Sequence, residues 1–161
     1  MADKIIETVD IDTKELLNKL NSLYADEWLA FIQYYVPIGL CKGMLRPDIE
    51  SELEEHAKDE FEHLTKLKER IIQLNGKPLM SPEQFLDKTV AGYIEPESFN
   101  VSDIVSDNME SESRAIDGYM DLMEFTKGKD AITYRLARQI LADEEEHIQD
   151  LTDFAEDLEQ I

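Results

Sequence analysis

The sequence predicts an all-α protein: four long helices in an up-down-down-up bundle, with a long crossover between the second and third that contains a short helix. Three observations carry this. Apolar residues recur at helical spacing in four stretches of similar length. The first and second stretches, and the third and fourth, are joined by short turns, whereas roughly 23 residues separate the second from the third. No run has the alternation of a strand.

The first helix, over 12–42, opens on a capping box at Asp12-Thr13-Lys14-Glu15 and carries Leu16, Leu20, Leu23, Tyr24, Trp28, Phe31, Ile32 and Tyr35. Pro37 falls in its last turns and is expected to kink it. Arg46-Pro47 opens the second helix, 46–75, through Leu53, Ala57, Phe61, Leu64, Leu67, Ile71 and Leu74 to a stop at Asn75-Gly76-Lys77-Pro78. Within the crossover a short helix is expected around Pro82 to Lys88. Asn100 caps the third helix, 100–128, and Asp130 starts the fourth, 130–158, after Lys127-Gly128-Lys129. Helices of this length reach about 40 to 45 Å, which the crossover can span. The 161 residues are expected to form one domain, 1–161, with a substantial core.

Composition narrows the function classes. A net charge of −21 opposes an electrostatic grip on nucleic acid or anionic membrane and makes cations the natural partners. Cys41 is the only cysteine, so no intrachain disulfide forms and a reducing compartment suits the chain. There is no basic start followed by an apolar run, and no apolar stretch of spanning length. A soluble cytoplasmic protein is expected.

The chemistry centres on two tetrapeptides, Glu60-Phe61-Glu62-His63 and Glu144-Glu145-Glu146-His147. Residues three apart on a helix share a face, so the outer Glu and the His of each can close on one metal. In a chain with 37 acidic residues that spacing alone is weak. Depth and facing decide it. Glu60 lies 14 residues after Arg46 and Glu144 lies 14 after Asp130; Glu27 lies 15 after Asp12 and Glu112 lies 12 after Asn100. Midpoints are the depth that antiparallel helices share, so each helix offers a carboxylate at one level. Glu27 and Glu112 both interrupt apolar stripes, and a buried carboxylate requires a cationic partner. Four Glu charges balance two divalent ions while His63 and His147 bind neutral, which is a carboxylate-bridged dimetal composition. His56 and Tyr34 sit on neighbouring turns. His56 reads as a hydrogen-bonded, half-buried histidine, and Tyr34 reads equally as a core tyrosine or as a partner of a site carboxylate.

At these residues the chain resembles the ferritin-like superfamily, specifically the bacterioferritins and the Dps-like mini-ferritins called thioferritins. The resemblance extends through Leu20-Asn21, Glu27-Trp28-Leu29-Ala30, Glu54-Glu55-His56-Ala57, Ser111-Glu112 and Ile140 to His147. It implies that Glu27 and His63 are terminal ligands of one iron, Glu112 and His147 of the other, and that Glu60 and Glu144 bridge. It implies ferroxidase activity on Fe(II) with O2 or hydrogen peroxide and storage of Fe(III) in a homo-oligomeric shell. Glu55 and Asp59 align with positions facing the shell interior. Bacterioferritins hold haem through a methionine where this chain has Phe61, so no haem is expected. The thioferritin cysteine pair is replaced by Arg114 and Tyr134. The fourth helix is expected to run to the end with no fifth helix, which favours twelve subunits over twenty-four. The tail Met1 to Asp10 has one Lys and no Arg, so DNA binding is not expected.

Two other readings use the same residues. A rubrerythrin-like di-iron oxidase or peroxidase would turn over without storing mineral, and a helical scaffold would be indifferent to Glu60→Ala or Glu144→Ala. Manganese or zinc suits the same ligands as iron.

Overall fold

The computed structural model describes residues 10–160, which form five helices and, among these residues, no strand. These are α1 (Thr13–Tyr35), α2 (Arg46–Gln73), α3 (Pro82–Lys88), α4 (Val101–Thr126) and α5 (Ala131–Glu159). The tail on which DNA binding was judged lies almost entirely outside the described residues.

Caps set the helix starts. The Asp12 carboxylate accepts from the Lys14 and Glu15 N–H groups, Ser81 accepts from Gln84, and Asp130 accepts from Ile132 and Thr133. Asn100 takes the cap position of α4, but its side chain makes no capping bond. The first helix is shorter than expected. It stops at Tyr35 instead of running, kinked, to residue 42, because Pro37 has no N–H to continue the ladder and Gly39 turns to φ 83°. The Pro37 carbonyl then accepts from Leu40 and Cys41, and the buried Cys41 thiol lies 3.4 Å from it. At the end of α2, the Gly76 N–H closes on the Ile71 carbonyl at 2.8 Å. A Cβ at Gly76 would stand 2.3 Å from Leu17 Cδ2 and 3.0 Å from the Ile71 carbonyl oxygen, so a larger residue here would have to displace the Leu17 side chain.

The core is split in two. One apolar cluster joins Leu16, Leu20 and Leu23 to Leu64, Leu67 and Ile71, to Tyr119 and Leu122, and to Ala137 and Ile140. The other joins Tyr34, Ile49, Leu53 and Ala57, Val101, Ile104 and Val105, and Leu151. Chain direction follows from this division. Helices α1 and α5 run from the first cluster to the second, and α2 and α4 run the other way, giving the up-down-down-up order. The charged residues of the midpoints lie between the two clusters.

The crossover is tied down by polar groups on α1. Asp26 accepts from the Thr89 hydroxyl and from the Val90 and Ala91 N–H groups. Asn21 accepts from Leu79, and Gln33 from Ile94. The Phe85 ring of α3 stacks on Trp28 at 5.6 Å. Burial raises the Asp26 carboxyl to about 6, against the lowering effect of these donors. Phe61, placed in the core stripe by its spacing, is instead 49% exposed, its ring against Trp28 and Phe31.

Candidate metal centre

All six residues singled out by spacing, depth and facing meet between the two apolar clusters, each 2% exposed or less: Glu27, Glu60, His63, Glu112, Glu144 and His147. They fall into two overlapping groups. Glu27, Glu60, His63 and Glu144 offer ligand atoms within 4.8 Å of one another, and so do Glu60, Glu112, Glu144 and His147.

The shared members explain the overlap. Glu60 turns Oε2 to His63 Nδ1 at 3.5 Å and Oε1 to His147 Nδ1 at 3.3 Å. Glu144 turns Oε1 to His63 Nδ1 at 3.2 Å and Oε2 to His147 Nδ1 at 3.3 Å. Each shared carboxylate thus offers one oxygen to each half. Glu27 Oε2 lies 3.3 Å from His63 Nδ1, and Glu112 Oε1 lies 3.5 Å from His147 Nδ1. Donors bound at about 2.1 Å and at 90–109° to one another stand roughly 3.0–3.4 Å apart, so these separations suit a cation at the centre of each group. The polar atoms at the centre of the site have no hydrogen-bond partner: Glu27 Oε2, Glu60 Oε1, both Glu144 oxygens and both Nδ1 atoms. Buried polar atoms left this way are costly unless something cationic joins them.

The outward-facing imidazole nitrogens, in contrast, are satisfied, and the terminal glutamates are held by tyrosines, both in a crosswise pattern. His63 Nε2 lies 3.0 Å from Asp143, and His147 Nε2 lies 3.2 Å from Asp59. Each aspartate immediately precedes the glutamate of the opposite tetrapeptide. The Tyr34 hydroxyl donates to Glu112 and the Tyr119 hydroxyl to Glu27, each tyrosine lying seven residues after the other's glutamate. The sequence reading did not identify Asp143 or Tyr119. The repeated strings Asp-Glu-x-x-His and Glu-(six residues)-Tyr were the available signal. With Nε2 bonded to a carboxylate, each imidazole carries its proton there and aims the Nδ1 lone pair inward. Asp59→Asn or Asp143→Asn is therefore expected to weaken Zn(II) binding by roughly 10- to 100-fold, measured by competition with a chromophoric chelator.

Without a cation, the carboxylates around each Nδ1 instead favour a second proton there. Burial opposes charge on His63, but the carboxylates of Glu144, Glu27 and Glu60 more than offset it and raise the imidazole far above its ordinary value. His147 behaves likewise through Glu112, Glu144 and Glu60. Burial, then the charges of Glu144 and Glu27, push Glu60 well up, and burial with Glu144 pushes Glu112 up to about 7. Without a cation, protons therefore neutralise the cluster. Zn(II) added to the metal-free protein at pH 7 is expected to displace them, about two or more per pair of ions, read by titration in weak buffer. Because protons compete with the cation, affinity rises with pH.

His56 departs from its reading. It is buried, stacks on His147 with ring centroids 4.0 Å apart, and neither ring nitrogen has a hydrogen-bond partner. Burial and the neighbouring His147 charge lower it to about 4.

A bundle with a long crossover and two overlapping Glu/His groups at its midpoint defines a ferritin-like helical protein. The chain belongs to that family: the ferritin-like domain matches residues 17–161. It is 38% identical to a solved structure described as a dodecameric thioferritin, the bacterioferritin-related protein from Bacteroides fragilis, with a TM-score of 0.94 over 98% of this chain and 93% of that one. It is 28% identical over 146 residues to the DNA protection during starvation protein of Pyrococcus furiosus, covering 89% of this chain and 78% of that protein. The Dps protein from Vibrio cholerae O1, described as a member of a broad superfamily of ferritin-like diiron-carboxylate proteins, shares the fold at 20% identity, with a TM-score of 0.82 over 89% of this chain and 92% of that one.

Proposed function

We propose that this protein is a cytoplasmic ferroxidase that detoxifies and stores iron. The observation that carries the reading is the pair of shared carboxylates, each with one oxygen toward each imidazole. Two Fe(II) ions are the substrate. Glu27 and His63 hold one, Glu112 and His147 hold the other, and Glu60 and Glu144 span both. Mn(II) or Zn(II) suits the same donors. Four carboxylates cancel the charge of two divalent ions, so uptake removes the repulsion that otherwise retains protons in the cluster.

With hydrogen peroxide as oxidant, two Fe(II) give up one electron each, the O–O bond breaks, and two protons complete two waters. O2 is the alternative acceptor. Asp59 and Asp143 hold the imidazoles in register, while Tyr119 fixes the free oxygen of Glu27 and Tyr34 holds the Glu112 oxygen that also faces His147. Fe(III) then passes to a mineral inside a shell of twelve subunits. Support for that assembly is the near-full-length likeness to a thioferritin described as dodecameric. A net charge of −21 opposes DNA phosphates, so protection acts through removal of Fe(II) and oxidant rather than by coating DNA. No haem enters the reading.

The test is addition of excess Fe(II) with O2 or hydrogen peroxide to metal-free protein, followed by size exclusion with light scattering and iron analysis. Soluble iron well above two per subunit on a twelve-subunit shell is expected. Two metals per subunit on a small oligomer would replace storage with the oxidase reading.

A further inference from the structure

We infer that Glu52, His56 and Asp150 form a third divalent-cation site, just outside the six-residue cluster, through which Fe(II) exchanges with it. The inference rests on the dimetal reading above. His56 Nε2 lies 3.2 Å from Glu52 Oε1 and 3.6 Å from Asp150 Oδ2. The three ligand atoms lie within 4.8 Å of one another. Despite these approaches, Nε2 makes no hydrogen bond, and neither does Nδ1. A buried imidazole left without a partner, one nitrogen facing two carboxylates, is in the condition found at the Nδ1 atoms of His63 and His147. Separations of this size suit donors around one cation more than hydrogen bonds that fail on angle.

The site is not a by-product of the repeat within the bundle. Moving from Glu60 to Glu144 relates the two halves by 84 residues, and the same step carries Glu52 to Leu136 and His56 to Ile140; the reverse step carries Asp150 to Lys66. Two apolar residues and a cation stand where the second half would have its counterpart. The site therefore belongs to one half, the one containing His147.

Its position gives it a direction. Glu52 and His56 lie on α2 two turns and one turn before Glu60, and Asp150 lies three residues after His147 on α5. The Glu52 and Asp150 side chains are 26% and 38% exposed, whereas His56 is buried with its ring on His147. The donors thus run from solvent to the edge of the centre. Two carboxylates and one imidazole leave positions free for water, so a cation there stays exchangeable.

The test is diffraction from crystals of metal-free protein soaked in Zn(II), with anomalous difference maps on both sides of the zinc edge. Three peaks per subunit are expected, two in the six-residue cluster and one bonded to His56 Nε2. In the double variant E52Q/D150N, whose side chains are part-exposed, the third peak is lost and the other two remain. Two peaks in the wild type and none beside His56 would overturn the third site and leave the dimetal reading standing. A peak beside His56 alone would do the reverse. Exchange has its own readout. E52Q/D150N is expected to oxidise the first two Fe(II) per subunit with wild-type amplitude but to turn over excess Fe(II) several-fold more slowly. Unchanged turnover would overturn the transit role.

Discussion

Replacing Glu60 by glutamine is expected to slow Fe(II) oxidation by on the order of 100-fold or more while leaving the helical content intact. Glu60 Oε1 and Oε2 face the two imidazoles at 3.3 and 3.5 Å, and an amide can offer an oxygen to only one of them. The folded state loses little. Burial and the charges of Glu144 and Glu27 already push the Glu60 carboxyl well above its ordinary value, so in the metal-free protein it is a neutral group of nearly the same shape. A raised folded pKa means that the folded state binds the extra proton, so this carboxyl costs stability as pH rises above its unfolded value. Metal-free E60Q is therefore expected to melt at or above the wild-type temperature, with the difference growing from pH 5 toward pH 8. Adding Zn(II) reverses the order. At 100 times Kd a bound ion stabilises the wild type by about 2.7 kcal/mol per site, and the variant forgoes much of that. Stopped-flow absorbance and scanning calorimetry check the two halves. Oxidation at wild-type rate in E60Q would remove Glu60 from the centre.

The midpoint cluster was legible because its signals are local. Spacing of three puts Glu60 with His63 and Glu144 with His147 on single helix faces, and equal depth brings four helices to one level. Interrupted stripes gave Glu27 and Glu112. What could not be read depends on how one helix is rotated against another. Asp59 and Asp143 each serve the histidine of the opposite helix, so neither is explained by its own segment. Tyr119 looked like any core tyrosine until α1 brought Glu27 to its hydroxyl. Phe61 shows the same limit from the other side. Its spacing fits the core stripe, but Glu60 and His63 claim the inward face of that turn and leave Phe61 toward Trp28 and Phe31. The end of α1 was misplaced because Pro37 is compatible with either a kink or a stop, and the turn at Gly39 decides between them.

Arg70→Ala is expected to destabilise the protein by about 3–5 kcal/mol, because it leaves a buried carboxylate without its partner. Arg70 and Asp130 are 4% and 2% exposed. The guanidinium donates to both Asp130 oxygens at 3.0 and 2.9 Å, to Thr133 Oγ1 at 2.8 Å and to Gln73 at 3.2 Å. Asp130 is also the cap of α5, accepting from Ile132 and Thr133. The pair thus joins the last turn of α2 to the first of α5, the two helices that carry the Glu-x-x-His tetrapeptides. Burial works against the Asp130 charge, but Thr133 and Arg70 outweigh it and hold the carboxyl below its ordinary value. A depressed folded pKa gives stability that is complete above the unfolded value and is lost as pH falls through the folded one. In Arg70→Ala that acid-dependent part shrinks, so the gap between variant and wild type narrows on acidification. For a chain of this size the loss corresponds to roughly 6–20 °C in melting temperature at neutral pH, measured by calorimetry on metal-free protein. Arg70→Lys keeps the charge but not the fork, and should fall between the two. Well below its melting point, Arg70→Ala is expected to oxidise the first two Fe(II) per subunit at close to the wild-type rate. Arg70 lies two turns beyond His63, and Leu64 and Leu67 still pack that interval into the core. A large loss of oxidation without loss of stability would instead mean that this pair sets the depth at which Glu60 and Glu144 meet.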